Sequence, residues 1–370
     1  MRQQPHEPPL SPEVAGAKGL RTGWTTGTCT AAAAKAAVTG LLTGQVPETV
    51  EVGLPSGKRV AFDVVDADPS EPWRAAVVKD AGDDPDVTNG AHLTVEARWL
   101  PVGSPAGTVE LVAGDGVGTI TLPGLGLEVG APAINPVPAR MIRAAVAEVA
   151  DRPVSLTVSV PGGEEMASKT SNARLGIMGG ISILGTTGVV RPFSTASWRA
   201  SVVQQVDVAA AQGRDVIVLS TGGRTDAAAQ RLLPELPPVC FVEVGDFTGI
   251  ALRRAAGAGM SRVVFVGMAG KIAKLAAGVL MTHYRRSKVD VEMLAEVARA
   301  SGAPAAVVSA ATETATARHF AEVCVRERSL DPLAELCRRA SASCTEFVNG
   351  TLDVEVIMVD FEGEQVLARG

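Results

Sequence analysis

The chain has 370 residues, 46% hydrophobic and 20% charged, which is material for roughly two packed domains. A net charge of −6 and an aromatic content of 4% speak against a general nucleic-acid binder, which needs a basic, base-stacking face. Five widely spaced cysteines, Cys29, Cys240, Cys324, Cys337 and Cys344, contain no CxxC pair; they argue against a disulfide framework or a zinc site and for a reducing cytoplasm.

In chain order, residues 1–18 are Pro-rich and polar, and they read as a disordered tail without the apolar run of a signal peptide. Residues 21–42, RTGWTTGTCTAAAAKAAVTGLL, follow. Hydroxyl residues cap helix N-termini and alanine favours helix, so a polar loop feeds a helix whose first turn offers an anion site. An ordinary capped helix fits the same string. VEVGL and KRVAFDVV flank the Ser56-Gly57 turn, and alternation in 92–98 and 154–160 predicts half-buried strands. A helix is expected over 137–150, begun by prolines suited to a first turn.

Past Phe193 the pattern changes. VIVL (216–219), VCFVEV (239–244) and VVFV (263–266) are unalternated apolar runs, each followed by a glycine loop and a helical pattern. Such runs suit strands buried on both faces of a parallel sheet, whose ligands bind at the strand carboxyl ends. Residues 290–345 read as mostly helical, and LDVEVIMVDF (352–361) alternates and reads as an edge strand of either domain. The fold class expected is therefore α+β and α/β: a mixed α+β domain over 19–193 and a parallel-sheet α/β domain over 194–370.

The loops after these strands hold the cofactor-site candidates: Thr221, Gly222 and Gly223; Gly245, Asp246 and Phe247; Gly267, Gly270 and Lys271. Glycine lets a ligand approach the backbone closely, although turn geometry alone also selects it. GDGVG (114–118) is followed by TITLPG, a strand pattern rather than a helix, so it reads as a hairpin or bulge. GMAGK (267–271) lacks the GxxxxGK[ST] spacing of a phosphate loop. The acidic loop with Asp80, Asp83, Asp84 and Asp86 could supply a general base, with Asp83 and Asp84 as candidates, or be a solvated turn. His283 is the natural proton acceptor near neutral pH, and no metal site is expected. GISILGTTG (180–188) could pack under a flat ligand, with Thr186 and Thr187 as hydrogen-bonding groups.

The exact strings go further. RTGWTTGTCTAAAAKAA, VVKDAGDDPDVTNGA (77–91), GDGVGTITLPGL (114–125), GAPAINPVPARMI (130–142), residues 159–192 and GKIAKLAAGVLMTH (270–283) resemble, in this order, the cobalt-precorrin-5B C1-methyltransferase family of anaerobic cobalamin biosynthesis. The resemblance implies transfer of the methyl group of S-adenosyl-L-methionine to ring carbon C-1, giving cobalt-precorrin-6A, with cobalt carried inside the substrate. On that reading the first domain is expected to bind the macrocycle and the second the cofactor. For a flat, carboxylate-rimmed substrate the binding candidates are Thr25, Thr26, Thr28, Lys35, Arg174, Thr186 and Thr187, with Arg21, Lys79, Lys169 and Arg191 as further rim cations. The chain departs from the family pattern at Asn89, Met268 and Tyr284, two of which replace histidines. No nucleic-acid or membrane partner is expected, and a homo-oligomer is compatible with the sequence. Two other readings remain at this stage: a corrinoid carrier or scaffold without catalysis, and a small-molecule kinase using the Thr/Gly loop at 25–30.

Overall fold

The computed structural model describes residues 19–68, 70, 72–282, 290–314 and 316–370. The expected tail at 1–18, together with His283 and Tyr284, lies outside the described residues. Two compact units divide the described chain, one ending at Thr195 and the other running from Ala196 to Gly370.

The N-terminal unit contains β1 (Gly23–Trp24), α1 (Thr26–Thr43), β2 (Thr49–Gly53), β3 (Arg59–Asp63), β4 (Val65–Asp68), β5 (Trp73–Val78), β6 (His92–Trp99) and β7 (Val109–Ala113). It continues with β8 (Gly116–Val117), β9 (Thr119–Ile120), α2 (Pro136–Ala147), β10 (Val154–Ser159), α3 (Gly163–Ser168), β11 (Ile177–Met178), β12 (Gly180–Ile181) and β13 (Val189–Val190). Its main sheet has the order β4-β5-β6-β10-β7. All its pairs are antiparallel except β10 with β7. On β6 and β10 the alternating Leu93, Val95, Ala97, Val154, Leu156 and Val158 are all buried. They meet across the strands as Leu156↔Ala97 and Val158↔Val95, which makes one apolar face.

Helix α1 lies against β5, β6 and α2. Alanine is its best helix former, and the small buried side chains of Ala31–Ala34, Ala36 and Ala37 let its backbone approach its neighbours. The helix stops at Gly44, which takes a left-handed φ of 79° and donates its N–H to Gly40 O. The hairpin of β2 and β3 turns at Gly57, φ 84°, as the Ser56-Gly57 spacing predicts. After Gly114–Gly118 come the short strand β9 and no helix. At Gly116 an added Cβ would lie 1.9 Å from Val160 O, so packing accounts for this glycine.

The C-terminal unit contains α4 (Thr195–Ala211), β14 (Val216–Ser220), α5 (Gly223–Leu232), β15 (Phe241–Glu243), α6 (Thr248–Gly257), β16 (Arg262–Met268) and α7 (Ala269–Ala276). It ends with α8 (Val291–Ala300), α9 (Ala305–Glu313), α10 (Ala317–Arg326), α11 (Asp331–Phe347), β17 (Asp353–Val359) and β18 (Val366–Arg369). The sheet order is β15-β14-β16-β17-β18, parallel throughout except for β18. One face carries Val218, Val264, Val266, Ile357 and Val359 against Ala228 and Ala229 of α5. The other carries Ile217, Leu219, Val263, Phe265, Val356 and Met358 in a larger core with α4, α6, α7 and α8–α11. Burial on both faces is what the unalternated runs predict.

The expected edge strand at 352–361 is corrected here. It is β17, inside the sheet between β16 and β18, and β18 forms the edge. In chain order the strands run 2-1-3-4-5, so the order reverses between β14 and β16. Ligands of open α/β sheets bind outside the strand carboxyl ends at such a reversal.

Candidate active site

Three loops meet the carboxyl ends of β14, β15 and β16. After β14, the backbone N–H groups of Thr221 and Gly222 donate to the Thr225 hydroxyl at 3.0 and 3.1 Å, and that hydroxyl donates to Gly222 O. Thr225 thus shapes the turn, a role the sequence reading did not give it. Gly222, Gly223 and Gly270 face open space: nothing lies within 4 Å of an added Cβ at any of them. Helix α7 starts without a side-chain cap at Met268.

The second loop begins at Gly245, whose φ of 56° favours glycine. An added Cβ there would sit 3.0 Å from Trp198 Nε1, so the indole occupies that place. Trp198 is itself 47% exposed. Asp246 pairs with Lys271 and accepts the Thr282 hydroxyl at 3.3 Å. Lys271 and Lys274 both donate to Thr282 O, at 3.2 and 3.0 Å. Lys274 and Thr282 were not singled out from sequence; their signal was the spacing of Lys274 one turn after Lys271 on one helix face.

Two members of the expected cofactor set belong to the packing instead. Phe247 is buried in the larger core. Gly267 lies within β16, and an added Cβ would come 2.5 Å from the Phe265 ring on the same strand face.

Beside α7 a cavity of about 260 Å³ is lined by Met268, Gly270, Arg318, Val359, Asp360 and Leu367. It opens at the carboxyl ends of β16 and β17. Met268, one departure from the family pattern, contributes an apolar wall to it.

In the N-terminal unit three of the expected substrate groups, Thr25, Thr26 and Thr28, are turned inward. Thr25 caps α1 by accepting Thr28 N–H at 3.2 Å, and the two hydroxyls are 3.0 Å apart. Thr28 donates its hydroxyl to Gly188 O at 2.7 Å. Thr26 Oγ1 accepts Leu184 N–H at 2.9 Å, and Gly27 N–H donates to Leu184 O at 3.1 Å. The start of α1 is therefore filled by the segment 182–188, which corrects the expectation of an anion site there. Thr186 and Thr187, on the same segment, are exposed.

The expected cations have local partners too. Lys35 binds Glu148 and Glu51 O, and Arg59 binds the same Glu148 and Glu51. Lys35 is thus a member of an ion-pair cluster rather than an open substrate group. These cations hold the Glu148 carboxyl down at about 2. Arg21 pairs with Asp80, Lys169 with Glu165 and Lys79 with Asp86. Arg174 is half-buried and Arg191 exposed.

The acidic loop is likewise committed. Asp83 accepts Arg21 N–H at 2.6 Å, and Asp84 accepts Phe193 N–H at 2.9 Å. Asp86 accepts from Lys79 at 2.7 Å and from the Thr88 N–H and hydroxyl. Asn89 accepts Ala81 N–H at 2.9 Å. The loop ties Arg21 and Phe193 together, so Asp83 and Asp84, the candidate general bases, also carry structural hydrogen bonds.

A family model described as CbiD matches residues 13–192, and one described as CbiD, C-terminal domain, matches residues 281–370. A cobalt-precorrin-5B C(1)-methyltransferase from Salinispora arenicola is 58% identical over 354 residues, 94% of this chain and 92% of that protein. A protein of the same name from Rubrobacter xylanophilus is 56% identical over 370 residues, 98% of this chain and 94% of that protein. A crystal structure of the cobalamin biosynthesis protein CbiD from Archaeoglobus fulgidus is 30% identical, spans 77% of this chain and 85% of that chain, and has a TM-score of 0.40.

Proposed function

The chain belongs to the CbiD family, and from that premise we propose that it is the C-methyltransferase that methylates C-1 of cobalt-precorrin-5B with S-adenosyl-L-methionine to give cobalt-precorrin-6A. The observation that carries the reading is identity of 58% over 94% of the chain to a relative of that name. Further relatives of that name, 56% identical over 98% of the chain and 47% identical over 94% of it, extend the reading beyond one motif.

The residues at the carboxyl ends of β14, β15 and β16 fit the methyl donor. It is a small zwitterion with an apolar base, a ribose and a sulfonium. The open glycines 222, 223 and 270 allow close approach, and the neighbouring cavity is mainly apolar. When bound, the donor supplies an electrophilic methyl group. The protein's task is to orient and to exclude water, and holding two reactants in line is worth roughly 7–11 kcal/mol of barrier.

The N-terminal unit takes the macrocycle in this reading. Exposed Thr186 and Thr187 face solvent and suit a carboxylate-rimmed ligand, and half-buried Arg174 and exposed Arg191 are the rim cations proposed for it. Thr25, Thr26 and Thr28 act beneath them by fixing the 182–188 segment on α1. The kinase reading loses its support here, because the Thr/Gly loop presents its donors to protein carbonyls rather than to a phosphate site.

Calorimetric titration with S-adenosylhomocysteine tests the reading. Saturable one-to-one binding is expected. Absence of binding, alone and with a corrinoid present, would overturn the donor assignment and favour the carrier.

A further inference from the structure

Helix α7 carries two lysines one turn apart whose ammonium groups converge. Lys271 and Lys274 donate to the same carbonyl, Thr282 O, at 3.2 and 3.0 Å. Lys271 also meets the carboxylate of Asp246. Asp246 is in turn fixed by the Thr282 hydroxyl at 3.3 Å, and its own carbonyl accepts Thr282 N–H at 3.1 Å. Lys274 is 9% exposed, and Thr282 O is its one acceptor among the described residues.

An ammonium has three donors, so among the described residues the buried Lys274 has two of them unmatched. Two cations share one carboxylate, and of the two ammonium groups Lys274 is the one held away from water. A buried charge without a partner is costly, and a buried lysine responds by giving up its proton more easily. Burial and the nearby Lys271 do hold Lys274 below the ordinary lysine range, with Asp246 opposing them. An anion placed on the open donors relieves both the unmatched N–H bonds and the charge excess. The cluster has the position for this: Asp246 follows β15, and α7 follows β16 at the reversal of strand order.

We propose that Lys271 and Lys274, held in place by Asp246 and Thr282, form a carboxylate-binding site. Two sources have the right chemistry: the amino-acid carboxylate of the methyl donor and a carboxylate arm of the macrocycle. Which ligands are relevant rests on the methyltransferase reading, while the anion chemistry rests on the lysines themselves.

Calorimetry on the full chain separates the sources. One arm compares S-adenosylhomocysteine with its analogue lacking the carboxylate; the other compares cobyrinic acid with its heptamethyl ester. In one arm the wild type should prefer the carboxylate form by about tenfold or more, the size of one charge-assisted hydrogen bond. Lys274→Met should erase that preference and leave affinity for the uncharged analogue unchanged. If Lys274→Met loses its native circular dichroism, Lys271→Gln carries the same comparison. Carboxylate preferences unchanged in a folded variant, or absent from the wild type in both arms, would overturn the site. A wild type that fails to bind S-adenosylhomocysteine but shows the preference for cobyrinic acid would keep the site and overturn only the donor assignment.

Discussion

The carboxylate of Asp84 accepts the backbone N–H of Phe193 at 2.9 Å, across 109 residues of sequence. Beside it Asp83 accepts Arg21 N–H at 2.6 Å, and Asp83 N–H returns to Arg21 O at 2.9 Å. The acidic loop therefore holds both the segment that enters the N-terminal unit and the segment that leaves it. Its close packing is visible at Gly23, where an added Cβ would lie 2.1 Å from the Ala81 carbonyl carbon.

Asp84→Ala should lower stability by about 1 kcal/mol, the ordinary worth of one hydrogen bond, and leave kcat within about tenfold of wild type. Urea unfolding and single-turnover methyl transfer check the two halves. An unchanged stability with kcat reduced by about 10²–10⁴-fold would instead mark Asp84 as a general base.

Lys79 has a side chain only 1% exposed, with Asp86 as its ion-pair partner at 2.7 Å. Burial opposes the charged form of Asp86, but the Lys79 ammonium and the Thr88 donors outweigh it and hold the carboxyl below its usual range. Asp86→Asn leaves a buried ammonium without its counter-charge and should cost about 3–5 kcal/mol. A double change, Lys79→Met with Asp86→Asn, should recover part of the loss. Equal stability of Asp86→Asn and wild type in urea would contradict the pairing.

Glu148 gives a pH dependence with a definite sign. Its carboxyl is depressed from 4.5 to about 2 by hydrogen bonds from Arg59 and Lys35. A depressed carboxyl contributes stability above its unfolded value and loses it as pH falls through the folded value. The wild type should exceed Glu148→Gln in urea midpoint at pH 6, and the gap should close between pH 4.5 and about 2. The group is a third exposed, so the gap should be small and shrink in salt. A gap that widens on acidification would contradict the assignment. Lys35→Ala should show the same stability loss and leave macrocycle affinity intact.

All five cysteines are buried. Burial pushes the thiols of Cys29, Cys324, Cys337 and Cys344 up to about 12, and it raises Cys240 as well. Ellman's reagent at pH 8 should find no fast thiol in the native protein and all five after unfolding. One stoichiometric native thiol would contradict this burial.

The elements most legible in the sequence are those fixed by local pattern. Alternation at Leu93, Val95 and Ala97 marks β6, and the continuous run Val263–Val266 marks β16, because each pattern states how many faces of the strand are covered. Less legible is any role decided by distant chain. Thr26 looks like a ligand group in its own string, yet its hydroxyl is taken by Leu184, 158 residues away. Gly267 looks like a loop glycine, yet it is set by the ring of Phe265 in its own strand. Lys274 carries no sign in the string that it is buried on α7 with Thr282 O as its one acceptor among the described residues.

The central claim is methyl transfer to C-1, and the most direct test is incubation of the purified chain with cobalt-precorrin-5B and S-adenosylmethionine labelled with ¹³C in the methyl group. The account predicts one new labelled methyl resonance, assigned to the C-1 substituent, with an equal amount of S-adenosylhomocysteine formed. Binding of both ligands with no label on the macrocycle, or label on a different ring carbon, would contradict it.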